Sequence, residues 1–308
     1  MIDRSGVFFM LAPLCSLAQA AGAVARRCRF AWTGRWPAHN ALFHVQGCSL
    51  RVLALCCAAV VTLCSCGLDT IYTLSPPTEV HTPTYIADDD NQKYFVFQTN
   101  ETSNSSEGDF TFDGTELYYK IYDNTSVMAN ADAAISSRNS STDYSAAASY
   151  MIDTLGYQRF KLSSGSIIPL IKNTGTSRYV YIRLSDVTYN SSSSEYIYKK
   201  GICITGNPSI HEYDSSTSLM YGETPVFLTR SIDSSYTFNF DGQDREKDRV
   251  PESGDSDVNY SSSKTESGVW YVNLYAVSVG RDQYFTTSYS QVLHLGSVSI
   301  KEGESKHN

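Results

Sequence analysis

Disulfide chemistry is nearly excluded by where the cysteines of this chain lie. Six of the eight cysteines precede Cys66, so the last 243 of the 308 residues contain only Cys66 and Cys203. Small disulfide-stabilised domains need several closely spaced cysteines, and this region does not have them. Ile202-Cys203-Ile204 has the pattern of a buried strand, in which cysteine acts as a small apolar residue.

The sequence also lacks the short motifs of common catalytic and cofactor sites. It contains no Gly-x-Ser-x-Gly elbow, no P-loop and no His pair at helical spacing. His211–Asp214 fits no zinc pattern, and the acidic turns Asp88–Asn91 and Asp241–Asp244 lack the EF-hand spacing. His294 lies in a strand pattern, which favours packing over catalysis. We therefore expect no catalytic residue, no metal site, no cofactor and no enzymatic activity.

Positive charge is scarce in the region after the first 65 residues. Six of the 24 Lys and Arg residues and one of the 32 Asp and Glu residues precede Cys66, which leaves 18 basic and 31 acidic residues, a formal charge of −13. Such a body repels phosphate backbones, so we expect no nucleic-acid partner.

No apolar run is long enough to span a bilayer. Leu50–Leu63 has 14 residues, whereas a transmembrane helix needs about 20. Leu63-Cys64-Ser65-Cys66 follows, and it resembles the lipobox of bacterial lipoproteins, in which Leu and two small residues precede a lipidated Cys. The resemblance implies signal cleavage between Ser65 and Cys66 and acylation of Cys66 with palmitate or a similar chain. It places the protein at the cell membrane or outer membrane, extracytoplasmic and held in the lipid bilayer by acyl chains on Cys66.

Residues 1–49 do not fit that signal peptide, which we assign to residues 50–65. A signal of about 65 residues is longer than the usual 15–30. Initiation at Leu50 gives a short signal with Arg51 before the apolar core, so we interpret residues 1–49 as a miscalled start or an extra N-terminal segment. An alternative signal is Val7–Leu17, followed by the cleavage pattern Ala18-Gln19-Ala20.

The remaining chain divides by composition. Residues 66–90 contain three prolines, several threonines and an acidic run, which predicts an extended tether that lifts the domain off the bilayer. Residues 91–301 are predicted to form a β-sandwich domain, or two domains divided near residue 207. Residues 302–308 are a tail.

A mainly β fold is predicted because all 22 tyrosines follow Cys66 and lie among short alternating segments. Alternation is clearest in Leu117–Tyr122, Val180–Leu184, Tyr236–Phe240 and Trp270–Ala276. We expect most of the tyrosines to cover the core. Ser126–Leu155 is rich in Ala and predicts one or two short helices.

Two segments resemble the fibronectin type III family. Gly114-Thr115-Glu116-Leu117-Tyr118-Tyr119-Lys120 is similar to its third strand, and Trp270-Tyr271-Val272-Asn273-Leu274-Tyr275-Ala276-Val277-Ser278 is similar to its sixth. The resemblance implies a fibronectin type III/immunoglobulin-like β-sandwich with a short helical insertion. The lipobox with a Ser- and Tyr-rich β body also resembles surface lipoproteins of spirochaetes.

These features predict a lipid-anchored envelope module that acts by binding or as a structural part, with a protein or glycan ligand. The charged segment Asp241–Ser267 is predicted to be a mobile loop and a contact surface. A lipid-anchored hydrolase with a loop-borne site, or a subunit of an envelope assembly, are the alternatives. Acidic and His side chains gathered in one concave pocket would favour the hydrolase, and a flat exposed Tyr patch would favour binding or assembly.

Overall fold

A computed structural model of the protein describes residues 73–86, 92–104, 109–140, 142–165, 168–185, 200–205, 220–221, 224–240 and 248–303. The signal segment, the Ser65–Cys66 cleavage site and the alternative Ala20 site lie outside the described residues. The same is true of the acidic turns Asp88–Asn91 and Asp241–Asp244, of His211–Asp214 and of residues 304–308. Residues 71–308 form one compact unit.

Fourteen strands and two helices make up the described part of the chain. The helices are α1 (Thr125–Ser136) and α2 (Ala146–Ser149), and α2 continues into a π-helical turn (Tyr150–Thr154). The strands are β1 (Thr78–His81), β2 (Phe95–Gln98), β3 (Thr111–Tyr122), β4 (Gln158–Arg159), β5 (Lys161–Leu162), β6 (Ile171–Lys172), β7 (Tyr179–Arg183), β8 (Gly201–Thr205), β9 (Met220–Tyr221), β10 (Thr224–Pro225), β11 (Leu228–Thr229), β12 (Val258–Asn259), β13 (Val269–Arg281) and β14 (Thr287–Lys301).

The larger sheet is built on three long strands. Its order is β12-β3-β13-β14, and the short strands β4 and β6 also pair with β3. The β3–β13 and β13–β14 pairs are antiparallel, whereas β12 runs parallel to β3. Successive side chains of β3 and β13 point to opposite faces, as their sequence alternation predicts. The mainly β architecture with antiparallel sheets is thus confirmed.

A smaller antiparallel sheet, in the order β1-β2-β7-β8, contributes to the same core as one face of the larger sheet. Phe95, Phe97 and Val180 of the smaller sheet cluster with Trp270 and Val272 of the larger one, and all five are almost inaccessible to solvent. This core contains residues from both sides of position 207. Trp270, Val272 and Leu274 all belong to this core, as expected for alternate residues of the strand pattern Trp270–Ala276.

The opposite face of the larger sheet is covered by the helical segment predicted between Ser126 and Leu155. Helix α1 begins at Asn124, whose Oδ1 accepts hydrogen bonds from the backbone N–H groups of Ser126 and Val127 at 2.9 and 3.1 Å. Apolar residues of α1 and α2 pack there on a layer of buried tyrosines of the sheet: Tyr118, Tyr122, Tyr271 and Tyr275. These tyrosines therefore belong to the core, as expected.

The predicted tether, residues 66–90, is wrong over its described part. Thr78–His81 form β1, which pairs with β2, and Leu74 is buried against Phe110 and Phe112. Backbone pairing and one apolar contact cluster thus hold this segment in the domain, despite its Pro- and Thr-rich composition.

The predicted mobile loop, Asp241–Ser267, is also wrong over residues 248–267. Asp255 and Asp257 are buried and form ion pairs with Arg230, whose side chain is inaccessible to solvent. Val258 and Asn259 pair with the end of β3. This charged segment is ordered because its carboxylates pair with the buried guanidinium of Arg230, which lies 25 residues before Asp255 in the sequence.

Candidate functional site

A small polar cavity lies where helix α1 meets strands β13 and β14. Its volume is about 300 Å³, and it is lined by Asp132, Ala133, Ile135, Ser136, Asn139, Tyr275, Val292 and His294. We call it the Asp132 cavity. Its volume is at the lower end of the range for small-molecule sites.

The carboxylate of Asp132 is the centre of the hydrogen bonds that shape this cavity. Asp132 Oδ1 accepts from Asn273 Nδ2 at 2.6 Å and from the Tyr275 hydroxyl at 2.7 Å. Asn273 Nδ2 also donates to the Tyr157 hydroxyl at 2.9 Å. The neighbouring carboxylate and burial together raise the pKa of Tyr275 above its ordinary value, with burial the larger cause. Tyr275 therefore stays a neutral donor.

The imidazole of His294 is oriented by the same network. His294 Nε2 lies 2.7 Å from Asn273 Oδ1, and its ring stacks on Tyr275 with the centroids 4.7 Å apart. Asn273 Nδ2 faces Asp132, so Asn273 Oδ1 is the atom that faces His294, and an amide oxygen can only accept. Nε2 of His294 is therefore the protonated ring nitrogen that donates this hydrogen bond. Partial desolvation lowers the pKa of His294, whose side chain remains 41% exposed, and the charge of Asp132 partly opposes this.

The connection between α1 and α2 closes one side of the cavity. Asn139 Nδ2 donates to the Val292 carbonyl, and the Val292 N–H donates back to Asn139 Oδ1, each at 2.9 Å. This reciprocal pair fixes Asn139 on the edge of β14. The arrangement offers a carboxylate, an imidazole and hydroxyl groups to a polar ligand, in a half-enclosed space.

A second cavity, of about 420 Å³, includes Tyr118, Tyr157, Gln158, Arg159 and Lys161 in its lining. Arg159 Nε donates to the Tyr118 hydroxyl at 3.0 Å and lies 3.9 Å from Glu116 Oε1. Burial raises the pKa of Glu116 to about 7, against the opposing charge of Arg159. The shift has this direction because an ionised carboxylate is costly to bury, so burial favours the protonated form of Glu116.

The two described histidines that the sequence offers have different environments. His81 lies in β1, where Nδ1 is 2.9 Å from the Tyr94 carbonyl oxygen and the ring stacks on Tyr94. His294 lies in β14, as predicted, and contributes to the Asp132 cavity. In the part of the chain that the structure describes, no three His, Cys, Asp or Glu side chains gather as metal ligands. Cys203 is buried in β8, as predicted.

Sequence reasoning missed Asp132 and Asn273. Asp132 lies four residues after Met128 and three before Ile135, so a carboxylate occupies the apolar stripe of α1. Asn273 interrupts a strand whose neighbours are apolar or aromatic. A polar residue at a position where the pattern predicts an apolar one could have indicated that Asp132 and Asn273 belong to a buried polar site.

Comparisons with protein-family models, with curated proteins and with solved structures find no match to this chain. Within the described ranges, neither helix has the length and apolar character of a membrane-spanning segment.

Proposed function

We propose that the protein is a lipid-anchored cell-envelope lipoprotein whose β domain acts as a binding or structural module. The lipobox Leu63–Cys66 carries this proposal, because it stands eight residues before Leu74, the first residue of the domain core. Acyl chains on Cys66 would hold the domain at the cell membrane or outer membrane, on the extracytoplasmic side.

Anchoring is tested by a pair of cysteine variants. Cys66→Ser abolishes labelling by a palmitate analogue and moves the protein out of the detergent phase, whereas Cys64→Ser does neither. Labelling that persists in Cys66→Ser and is lost in Cys64→Ser would move the lipid to Cys64. Labelling of neither unsubstituted chain nor variant would overturn the anchor.

The pairing of β3 with β13 supports an immunoglobulin-like or fibronectin type III-like sandwich. The two segments that resemble the third and sixth strands of that family are antiparallel neighbours, and β14 follows β13 on the outer side. The third, sixth and seventh strands are adjacent in such folds. The helices that cover the outer face are a departure from that family, and we assign them to the helical insertion that the resemblance implies.

The Asp132 cavity is the proposed binding site, and its ligand is a polar group of a glycan or protein. Sugar hydroxyls suit a site that combines a carboxylate, an imidazole stacked on an aromatic ring and an amide. The acidic charge of the mature chain argues against nucleic acid.

Two alanines one turn apart in α1 give a matched test. Ala133 lines the cavity and Ala129 does not, and both are exposed. Ala133→Phe blocks the cavity and weakens binding to any oligosaccharide or purified envelope protein captured on an array by the soluble chain that begins after Cys66. Ala129→Phe leaves that binding unchanged. Equal binding by both variants would exclude this cavity.

A lipid-anchored hydrolase is the second candidate, because Asp132, Ser136 and His294 line one concave cavity. An acidic and a His side chain in one pocket is the feature that favours it. This alternative predicts turnover of an ester or amide substrate that is lost in Ser136→Ala and in His294→Gln. Unchanged turnover in Ser136→Ala would exclude the serine as nucleophile.

A further inference from the structure

The hairpin between β13 and β14 ends in two exposed aromatic side chains. Tyr284 is 78% exposed and Phe285 is 76% exposed. Single exposed apolar side chains are common on protein surfaces. Two adjacent exposed aromatic residues at the tip of a long hairpin form a small apolar patch instead.

Hydrogen bonds within the loop fix the conformation of the hairpin tip. Asp282 Oδ1 accepts hydrogen bonds from the backbone N–H groups of Tyr284 and Thr286 at 2.9 and 2.8 Å. The Phe285 N–H donates to the Asp282 carbonyl at 3.0 Å. Phe285 has φ +63°, a conformation that residues other than glycine seldom adopt. The loop thus holds both rings outward at a cost in backbone strain.

The chain enters the domain at the same end of the sheet. Leu74 packs on Phe110, and the ring of Phe110 lies against Gly280, two residues before Asp282. The Ser75 carbonyl accepts a hydrogen bond from the Ser278 hydroxyl at 2.8 Å.

From that point the chain leads away from the tip. Pro83 lies against Gly296, and Gly296 pairs with Leu274, further down the sheet. Leu74, close to the start of the described chain, therefore lies at the tip end of the sheet.

The distance from the anchor is short enough for the tip to reach lipid. Eight residue steps join Cys66 to Leu74, and they span at most about 29 Å when fully extended. A bilayer that holds acyl chains on Cys66 would therefore be at most about 29 Å of chain away from Leu74.

The charges near the tip do not favour an electrostatic contact. Arg281 pairs with Asp113 at 3.2 Å and lies over the Phe285 ring, and Asp282 is used by the loop. The apolar rings are the attractive feature.

We propose that Tyr284 and Phe285 insert into the headgroup region of the bilayer and orient the domain on the membrane. Tyr suits this depth because its ring is apolar and its hydroxyl remains hydrated. This inference rests on the proposed lipidation of Cys66. It places the opposite end of the sheet, with residues 255–265, away from the membrane.

The test uses the acylated chain on phosphatidylcholine vesicles. Tyr284→Cys is labelled with a fluorophore that brightens in apolar surroundings, and Tyr260→Cys is the matched control, an exposed tyrosine beside β12 at the other end of β3. The unsubstituted chain measures any labelling of Cys203. Flotation with the vesicles reports anchoring separately from insertion.

We expect several-fold brighter emission at position 284, quenched by headgroup-level nitroxide lipids and insensitive to salt, with no change at position 260. Floating protein whose label at position 284 stays in water would overturn the insertion and leave the anchor intact. A change at position 284 that needs an envelope protein and not lipid would also overturn it. Failure to float would overturn both proposals.

Discussion

Replacement of Arg230 by alanine tests the most consequential buried contact of the fold. Arg230 Nε and one terminal nitrogen bind the two carboxylate oxygens of Asp257 at 2.9 and 2.7 Å. The same terminal nitrogen donates to Asp255 Oδ2 at 2.7 Å. The side chains of Arg230 and Asp257 are fully buried, and that of Asp255 is 4% exposed.

The expected loss of stability is large because the substitution leaves the buried carboxylate of Asp257 without its cation, whereas Asp255 keeps its ion pair with Arg249 at 2.7 Å. Removing one partner of a buried ion pair costs about 3–5 kcal/mol. A domain of this kind has a free energy of unfolding of about 5–15 kcal/mol, so Arg230→Ala removes about a fifth of it or more. Arg249→Ala is the comparison, since Arg249 is 33% exposed and its buried partner Asp255 keeps the ion pair with Arg230, so we expect a smaller loss.

Urea unfolding of the soluble chain that begins after Cys66 measures both variants. Trp270 is the only tryptophan after Cys66 and is buried, so its emission shifts to the red when the domain opens. A loss in Arg230→Ala no larger than that in Arg249→Ala would refute the buried network. Deletion of Gln243–Asp257, which lies within the segment predicted from the sequence to be a mobile loop, is expected to destabilise the domain because it removes both carboxylates.

Two further variants test other buried features. Glu116→Gln removes a carboxyl whose pKa is raised to about 7. The raised pKa gives the unsubstituted chain a contribution to stability that is present below pH 4.5 and is lost as pH rises through about 7. Glu116→Gln lacks this pH dependence. In urea titrations, the free energy of unfolding of the variant minus that of the unsubstituted chain should therefore increase by up to about 3 kcal/mol between pH 4.5 and pH 8. An unchanged pH profile would contradict the burial of this group. Gly114→Ala places a Cβ against the Ile171 carbonyl oxygen at φ +146° and is expected to cost several kcal/mol, whereas Gly175→Ala, with open space at φ +81°, costs about 1–2 kcal/mol. Equal thermal shifts of the two glycine variants would contradict the close approach of β3 and β6.

The strands and helices that were predicted correctly all have a clear local sequence pattern, which can be recognised without knowledge of their tertiary contacts. Alternation in Leu117–Tyr122 and Trp270–Ala276 identified the two central strands and their inward faces. Alanines in 126–155 identified the helices. Both signals follow from the periods of strand and helix.

The missed elements depend on residues far apart in the sequence. Strand β1 is short and lies in a Pro- and Thr-rich stretch, and only its pairing with β2 reveals it. From the sequence alone, Asp255 and Asp257 are expected to be exposed to solvent, because nothing local indicates their ion pairs with Arg230. Asp132 and His294 are separated by 162 positions, so neither period nor motif could bring them into one cavity.

Mass spectrometry of the native protein shows whether Cys66 is the lipidated first residue of the mature chain. Trypsin cuts after Arg51 and next after Lys93. We expect a peptide that begins at Cys66, ends at Lys93 and carries the mass of the acyl chains. Recovery of an unmodified peptide from Val52 to Lys93 would contradict it.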